Sequence, residues 1–145
     1  MLKVPQKVDH ALLLMRLLAE RNSAGLPLSL EDVARAEQVS QGYLEEVARL
    51  LRAAGLVAGK RGAGGGYVLA KAPTDITVAD VMIAIEGRTW TAECPGEAPK
   101  RARVAANDLI WRKVQGQVMT TLRGMTIADV AAEVAASRSR SAMTK

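Results

Sequence analysis

Apolar positions between residues 6 and 20 fall at Val8, Leu12, Met15 and Leu18 or Ala19, the spacing of one helical face, and predict a first helix. After a loop from Asn22 to Leu28 that contains Gly25 and Pro27, Ser29 stands as an N-cap, with Asp32 three residues on to return the hydrogen bond. The short helix that follows turns Leu30, Val33 and Ala34 inward. A break over Glu37 to Val39 leads to Ser40, a second N-cap. Tyr43, Leu44, Val47, Leu50 and Leu51 then recur at helical spacing until Gly55 stops the run. Two capped helices joined by a tight turn form a helix-turn-helix candidate.

Periodicity changes after Gly55. Leu56 to Lys60 and Tyr67 to Lys71 are short β-capable runs around a glycine-rich segment and predict a hairpin, although Ala58 and Gly59 weaken the first strand. Pro73 ends the second strand. Thr77 caps a further helix, with Asp80 at the capping-box position and Gly87 at its end. From Arg88 to about Lys100 the pattern is lost, and a loop is expected. A long helix is predicted over residues 103–122, because Ile110, Val114, Val118, Thr121 and Met125 follow one stripe beside Trp111 and Leu122. Thr126 caps a last helix through about Ala135, and the Ser/Arg segment from Ser137 is expected to be disordered. The predicted fold is mainly α with a small β-hairpin wing: a winged helix-turn-helix domain at residues 1–87, a sensor-type loop at 88–102, dimerisation helices at 103–136 and a tail at 137–145.

Composition sharpens this picture. The chain has 145 residues, 49% of them hydrophobic and 3% aromatic, with no Phe, so its core is built from aliphatic side chains and Met. A single cysteine excludes an internal disulfide and a cysteine-based structural zinc site. No apolar run approaches the roughly 18 residues of a membrane span, and no secretory leader is recognised, so no membrane partner and a cytoplasmic location are expected. The net charge of +5 permits an anionic partner without identifying one. Its distribution says more: Val47 to Thr74 contains no Asp or Glu but carries Arg49, Arg52, Lys60, Arg61 and Lys71. A solvated cationic face is the ordinary reading of such a run, and a nucleic-acid footprint is the functional one.

The segment Lys60 to Tyr67, K-R-G-A-G-G-G-Y, admits three readings. A phosphate cradle of the nucleotide-binding type does not fit, because the spacing is wrong and a strand follows where a helix is needed. A plain turn needs the glycines only for positive φ. A wing uses them to let the backbone approach phosphate while a flanking Arg enters a minor groove. The helix-turn-helix directly upstream favours the wing. On that reading Ser40, Gln41, Gly42 and Tyr43 form the first turn of a recognition helix. Gln41 suits adenine or phosphate, the Tyr43 hydroxyl suits phosphate, and Glu45 suits a cytosine amino group. A half-buried core aromatic is the competing reading of Tyr43. Lys60, Arg61, Gly62 and Gly64 complete the candidate double-stranded-DNA contact set.

These segments, Ser40–Val47, Ala54–Val57, Arg61–Pro73 and Ile76–Val81, resemble in order and spacing the Rrf-two family of bacterial regulators. The resemblance covers residues 1–134. It implies a winged-helix transcription factor, expected to act as a repressor, that works as a homodimer, with its long C-terminal helix crossing to the partner. It also implies that Arg61 occupies the minor groove and that Glu45 takes part in choosing sequence.

The family's sensory chemistry matches less well. Iron-sulfur members hold a cluster with three cysteines in the loop before the long helix. Cys94 fits the first position, but the places near Lys100 and Ala106 hold no cysteine, and Asp108 stands where some members have a histidine. No cofactor is therefore expected. The alternative is an iron-sulfur or metal site shared across the dimer from Asp9, His10 and Cys94. Without a cluster, Cys94 is either an oxidisable sensor thiol near Arg88 or has no role. A different functional class, a protein-binding winged helix without DNA affinity, is kept open by Glu31, Glu45 and Glu46. No nucleophile–base set is found, so an enzyme is not expected.

Overall fold

The computed structural model describes residues 4–87 and 102–144. Six helices and one two-stranded antiparallel sheet follow in the order α1 (Gln6–Asn22), α2 (Leu30–Glu37), α3 (Gln41–Ala53), β1 (Val57–Lys60), β2 (Gly66–Leu69), a 3-10 turn (Pro73–Asp75), α4 (Val78–Glu86), α5 (Ala102–Arg123) and α6 (Ile127–Met143). The expected loop falls almost wholly outside the described residues, and Cys94 with it.

Helix α1 is the spine, packing against α3, α4, α6 and β2. Neighbours on several sides explain why its buried face, Val8, Ala11, Leu14, Met15 and Leu18, is wider than the single stripe expected, and why Leu12 is only half-buried. The starts of α2, α3, α4 and α6 are set locally. Ser29 accepts from the Asp32 amide at 3.5 Å and Ser40 from the Tyr43 amide at 3.2 Å. Full reciprocal capping boxes form at Thr77 with Asp80 and at Thr126 with Asp129.

Two long-range pairings assemble these pieces. Leu28 exchanges backbone hydrogen bonds with Tyr67, at 2.8 and 3.0 Å, and so lies along β2 as a one-residue third strand. Gly66 permits the approach, because a Cβ there would collide with the Leu28 carbonyl. Near the C-terminus, the Val78 amide donates to Met125 O and the Ile127 amide to Ile76 O, both at 2.8 Å. The capped starts of α4 and α6 are thereby tied together, over the fully buried Ile76 and Ile127.

The tail departs from expectation: α6 continues to Met143. Arg, Ala and Met are good helix formers, and the Ser139 hydroxyl donates to the Ala135 carbonyl four residues back, so the serines are absorbed into the helix. Along α5, Leu109, Ile110, Trp111 and Val114 stay exposed, at 46 to 69%. Among its described side chains only Met119 is buried. The stripe is not consumed by packing within the subunit.

Candidate nucleic-acid interface

Helices α2 and α3 meet at a turn in which Gln38 takes φ 55°, the only non-glycine positive φ among the described residues. Its amide bonds Ala34 O, and the Val39 amide closes onto the same carbonyl at 3.1 Å, so the chain reverses within a few residues and delivers Ser40 to its capping position. Leu44, Val47, Ala48 and Leu51 hold α3 on the core. The face left outside carries Gln41, Gly42, Glu45, Arg49 and Arg52.

Each predicted contact residue can now be placed. Ser40, Gln41, Gly42 and Glu45 are exposed. Gln41 Nε2 donates to Glu45 Oε1 at 3.1 Å, so two side chains read separately from sequence form one unit. A Cβ on Gly42 would meet nothing within 4 Å, so the turn beside that unit is open. Tyr43 is half-buried, as its competing reading held, and its hydroxyl lies 3.1 Å from His10 Nδ1. Burial raises its phenol pKa.

Charge on this face is unevenly compensated. Arg49 donates twice to Glu46, at 2.7 and 2.8 Å, and Lys7 lies 4.0 Å away. The Arg49 hydrogen bond holds the Glu46 carboxyl below its ordinary range, and the same bond raises Arg49. Glu31 is matched by Arg35 at 2.9 Å. Of the three glutamates that look awkward beside phosphate, only Glu45 has no cation among the described residues.

The wing is anchored from below. Strand β1 pairs with β2 from Val57 with Leu69 to Lys60 with Gly66, and Val57 and Tyr67 wall the same small apolar cavity as Ala48 and Leu51 of α3. Residues 61–65 form the tip, where Gly62 and Gly64 adopt φ 105° and 73°. Lys60, Arg61, Gly62 and Gly64 are all exposed, and neither cation pairs with a carboxylate among the described residues.

The metal alternative gains no support from the donors present. Asp9 is exposed on α1, while His10 is engaged with Tyr43 and Cys94 lies outside the described residues. Among the described residues no group of three or more His, Cys, Asp or Glu converges. One cysteine in the whole chain does not fit a thiolate-held iron-sulfur cluster. No described helix is long and apolar enough to cross a membrane. Sequence reading missed the left-handed Gln38, the Leu28 strand and the His10–Tyr43 and Gln41–Glu45 contacts. Only the last had a visible signal, the i, i+4 spacing of amide and carboxylate.

Comparison with known proteins agrees with this architecture. A profile of the Rrf2 family, described as iron-dependent transcriptional regulators, matches residues 4–133. Protein rrf2 of Nitratidesulfovibrio vulgaris is 37% identical over 106 residues, spanning 72% of this chain and 71% of that protein. The transcriptional regulator CymR of Bacillus subtilis is 35% identical over 130 residues, or 90% of both chains. The solved structure of that regulator, described as the global cysteine regulator, superposes with a TM-score of 0.76 at 34% identity, covering 92% of this chain and 98% of the other. An IscR from T. potens gives a TM-score of 0.72 at 32% identity, with coverages of 92% and 88%.

Proposed function

Because the chain belongs to the Rrf2 family of transcriptional regulators, we propose that it is a homodimeric DNA-binding repressor that reads the major groove with the first turn of α3 and the minor groove with Arg61. The observation that carries this reading is the pairing of an open, capped helix start with two exposed wing cations, Lys60 and Arg61, that no carboxylate neutralises among the described residues. Free cations release condensed counterions when they meet phosphate, whereas paired ones must first lose their partner. Wing and helix share one apolar support, so their separation is fixed before DNA arrives.

Dimerisation supplies the second half-site. Leu109, Ile110, Trp111 and Val114 on α5 form an apolar surface that a second copy covers. Tyr43 serves the interface indirectly, through the placement of the helix start. DNA as partner puts the site of action in the cytoplasm. The family description names iron, but one cysteine in the whole chain does not fit a thiolate-held cluster, and the reading assigns none.

The test is the salt dependence of binding to duplex DNA. Affinity is expected to fall roughly a thousandfold between about 50 and 200 mM salt, and Arg61→Ala is expected to lower the slope by about one. An affinity flat with salt, or absent at low salt, overturns the reading.

A further inference from the structure

Resting on α3 as the recognition helix, the geometry points to Gln41 and Glu45 acting together as a composite reader of a single G·C base pair. Gln41 Nε2 donates one hydrogen to Glu45 Oε1 at 3.1 Å, and both side chains are exposed on the first turns of α3. The bond uses one of the two amide N–H donors and one carboxylate lone pair, so a second donor and further acceptor sites remain side by side on an exposed surface. In the major groove guanine O6 and cytosine N4 lie side by side as hydrogen-bonded partners, about 2.9 Å apart. Acceptor and donor there match donor and acceptor on the protein at nearly the same spacing.

The order of the two groups decides which pair is accepted. A C·G or A·T pair in the same register places its amino group against the Gln41 N–H and its oxygen against the carboxylate, so both contacts repel. A T·A pair keeps the right order, but it sets the thymine methyl beside Gln41 and the adenine N7 lone pair beside Glu45. Only G·C satisfies both groups without such a neighbour. The open surface at Gly42 leaves room for the base edge.

The contrast with the adjacent carboxylate supports a second task for Gln41, holding Glu45 in place. Glu46 is held by the cation Arg49, whereas Glu45 is held by a neutral amide that brings no opposing charge. A cation at position 41 would fix Glu45 equally well but blunt it as an acceptor. An unheld Glu45 would swing from the phosphates that flank it.

The experiment is selection from a randomised duplex library by the full chain and by Gln41→Ala, Glu45→Ala and the exchange Gln41→Glu with Glu45→Gln. Wild-type protein is expected to enrich sites with a G·C pair at one position of each half-site. Both alanine variants should lose that preference about tenfold while other positions persist. The exchange keeps an amide–carboxylate bond but reverses the order of donor and acceptor, so it should enrich C·G at the same position. Gln41→Ala sites identical to wild type, or an exchange variant that still prefers G·C, overturn the inference. A wild-type protein that enriches no site overturns the regulator reading as well, which separates the two failures.

Discussion

The hydroxyl of Tyr43, in the first turn of α3, lies 3.1 Å from Nδ1 of His10 on α1, and the two rings meet edge-on at 82° with centroids 5.4 Å apart. An aromatic at the start of a candidate recognition helix is thus tied to the spine of the domain. Its hydroxyl braces the helix by bonding inward.

That contact has a measurable coupling. In urea denaturation, His10→Ala and Tyr43→Phe are each expected to lower stability. The double variant should lose less than their sum, by about 1 kcal/mol. Strict additivity would show that the contact contributes nothing.

Two glycines should respond to alanine with opposite signs. Gly66 has φ 155° and no room for a Cβ beside the Leu28 carbonyl, so Gly66→Ala is expected to cost more than about 2 kcal/mol. Gly42 lies in a helix with open space around it, and Gly42→Ala is expected to stabilise by about 0.5 kcal/mol. Thermal melts of the two variants check both signs.

The apolar stretch of α5 predicts an oligomeric state. Trp111 is 65% exposed in the single chain, and Trp111→Glu is expected to convert a dimer to a monomer in sedimentation while α1 to α4 keep their fold. Operator affinity should fall with the dimer, since one half-site then binds alone. A wild-type chain that sediments as a monomer at micromolar concentration refutes the α5 interface.

Acid stability follows from two depressed carboxyls. The Thr126 backbone bond, then its hydroxyl, holds Asp129 low, and the Arg49 hydrogen bond holds Glu46 low. A folded pKa below the unfolded one contributes stability that is complete above the ordinary carboxylate range. That stability is lost as pH falls through the folded value, below about pH 4. Asp129→Asn is expected to flatten this acid limb in melts recorded at descending pH, and Thr126→Ala to cost about 1 kcal/mol at neutral pH. An unchanged acid limb in Asp129→Asn would show that the capping carboxylate is not linked to folding.

Much of the fold was legible in the chain because its signals are local. Ser29, Ser40, Thr77 and Thr126 each cap the helix expected of them, since a cap needs only a side-chain oxygen and the amide three residues on. The hairpin and its glycine-rich tip followed from two short β-capable runs and turn chemistry, whereas its register, Val57 with Leu69 to Lys60 with Gly66, was set by the pairing itself. Composition alone points to disorder in the tail, but its Ser and Arg residues continue a helix already started.

What the sequence by itself determined is the set of elements, the cap of each helix from α2 onward except α5, and the clustering of cations at the wing. Only the tertiary structure decided that Leu28 would be a third strand, that Thr77 and Thr126 would share one bridge, that His10 would brace Tyr43, and that Glu45 alone of the three glutamates would have no cation beside it among the described residues. The reason is physical. Caps and periodicity are satisfied within a few residues and leave a pattern in the chain. Pairings such as Leu28 with Tyr67 depend on which surfaces the packed helices bring together, and they leave none.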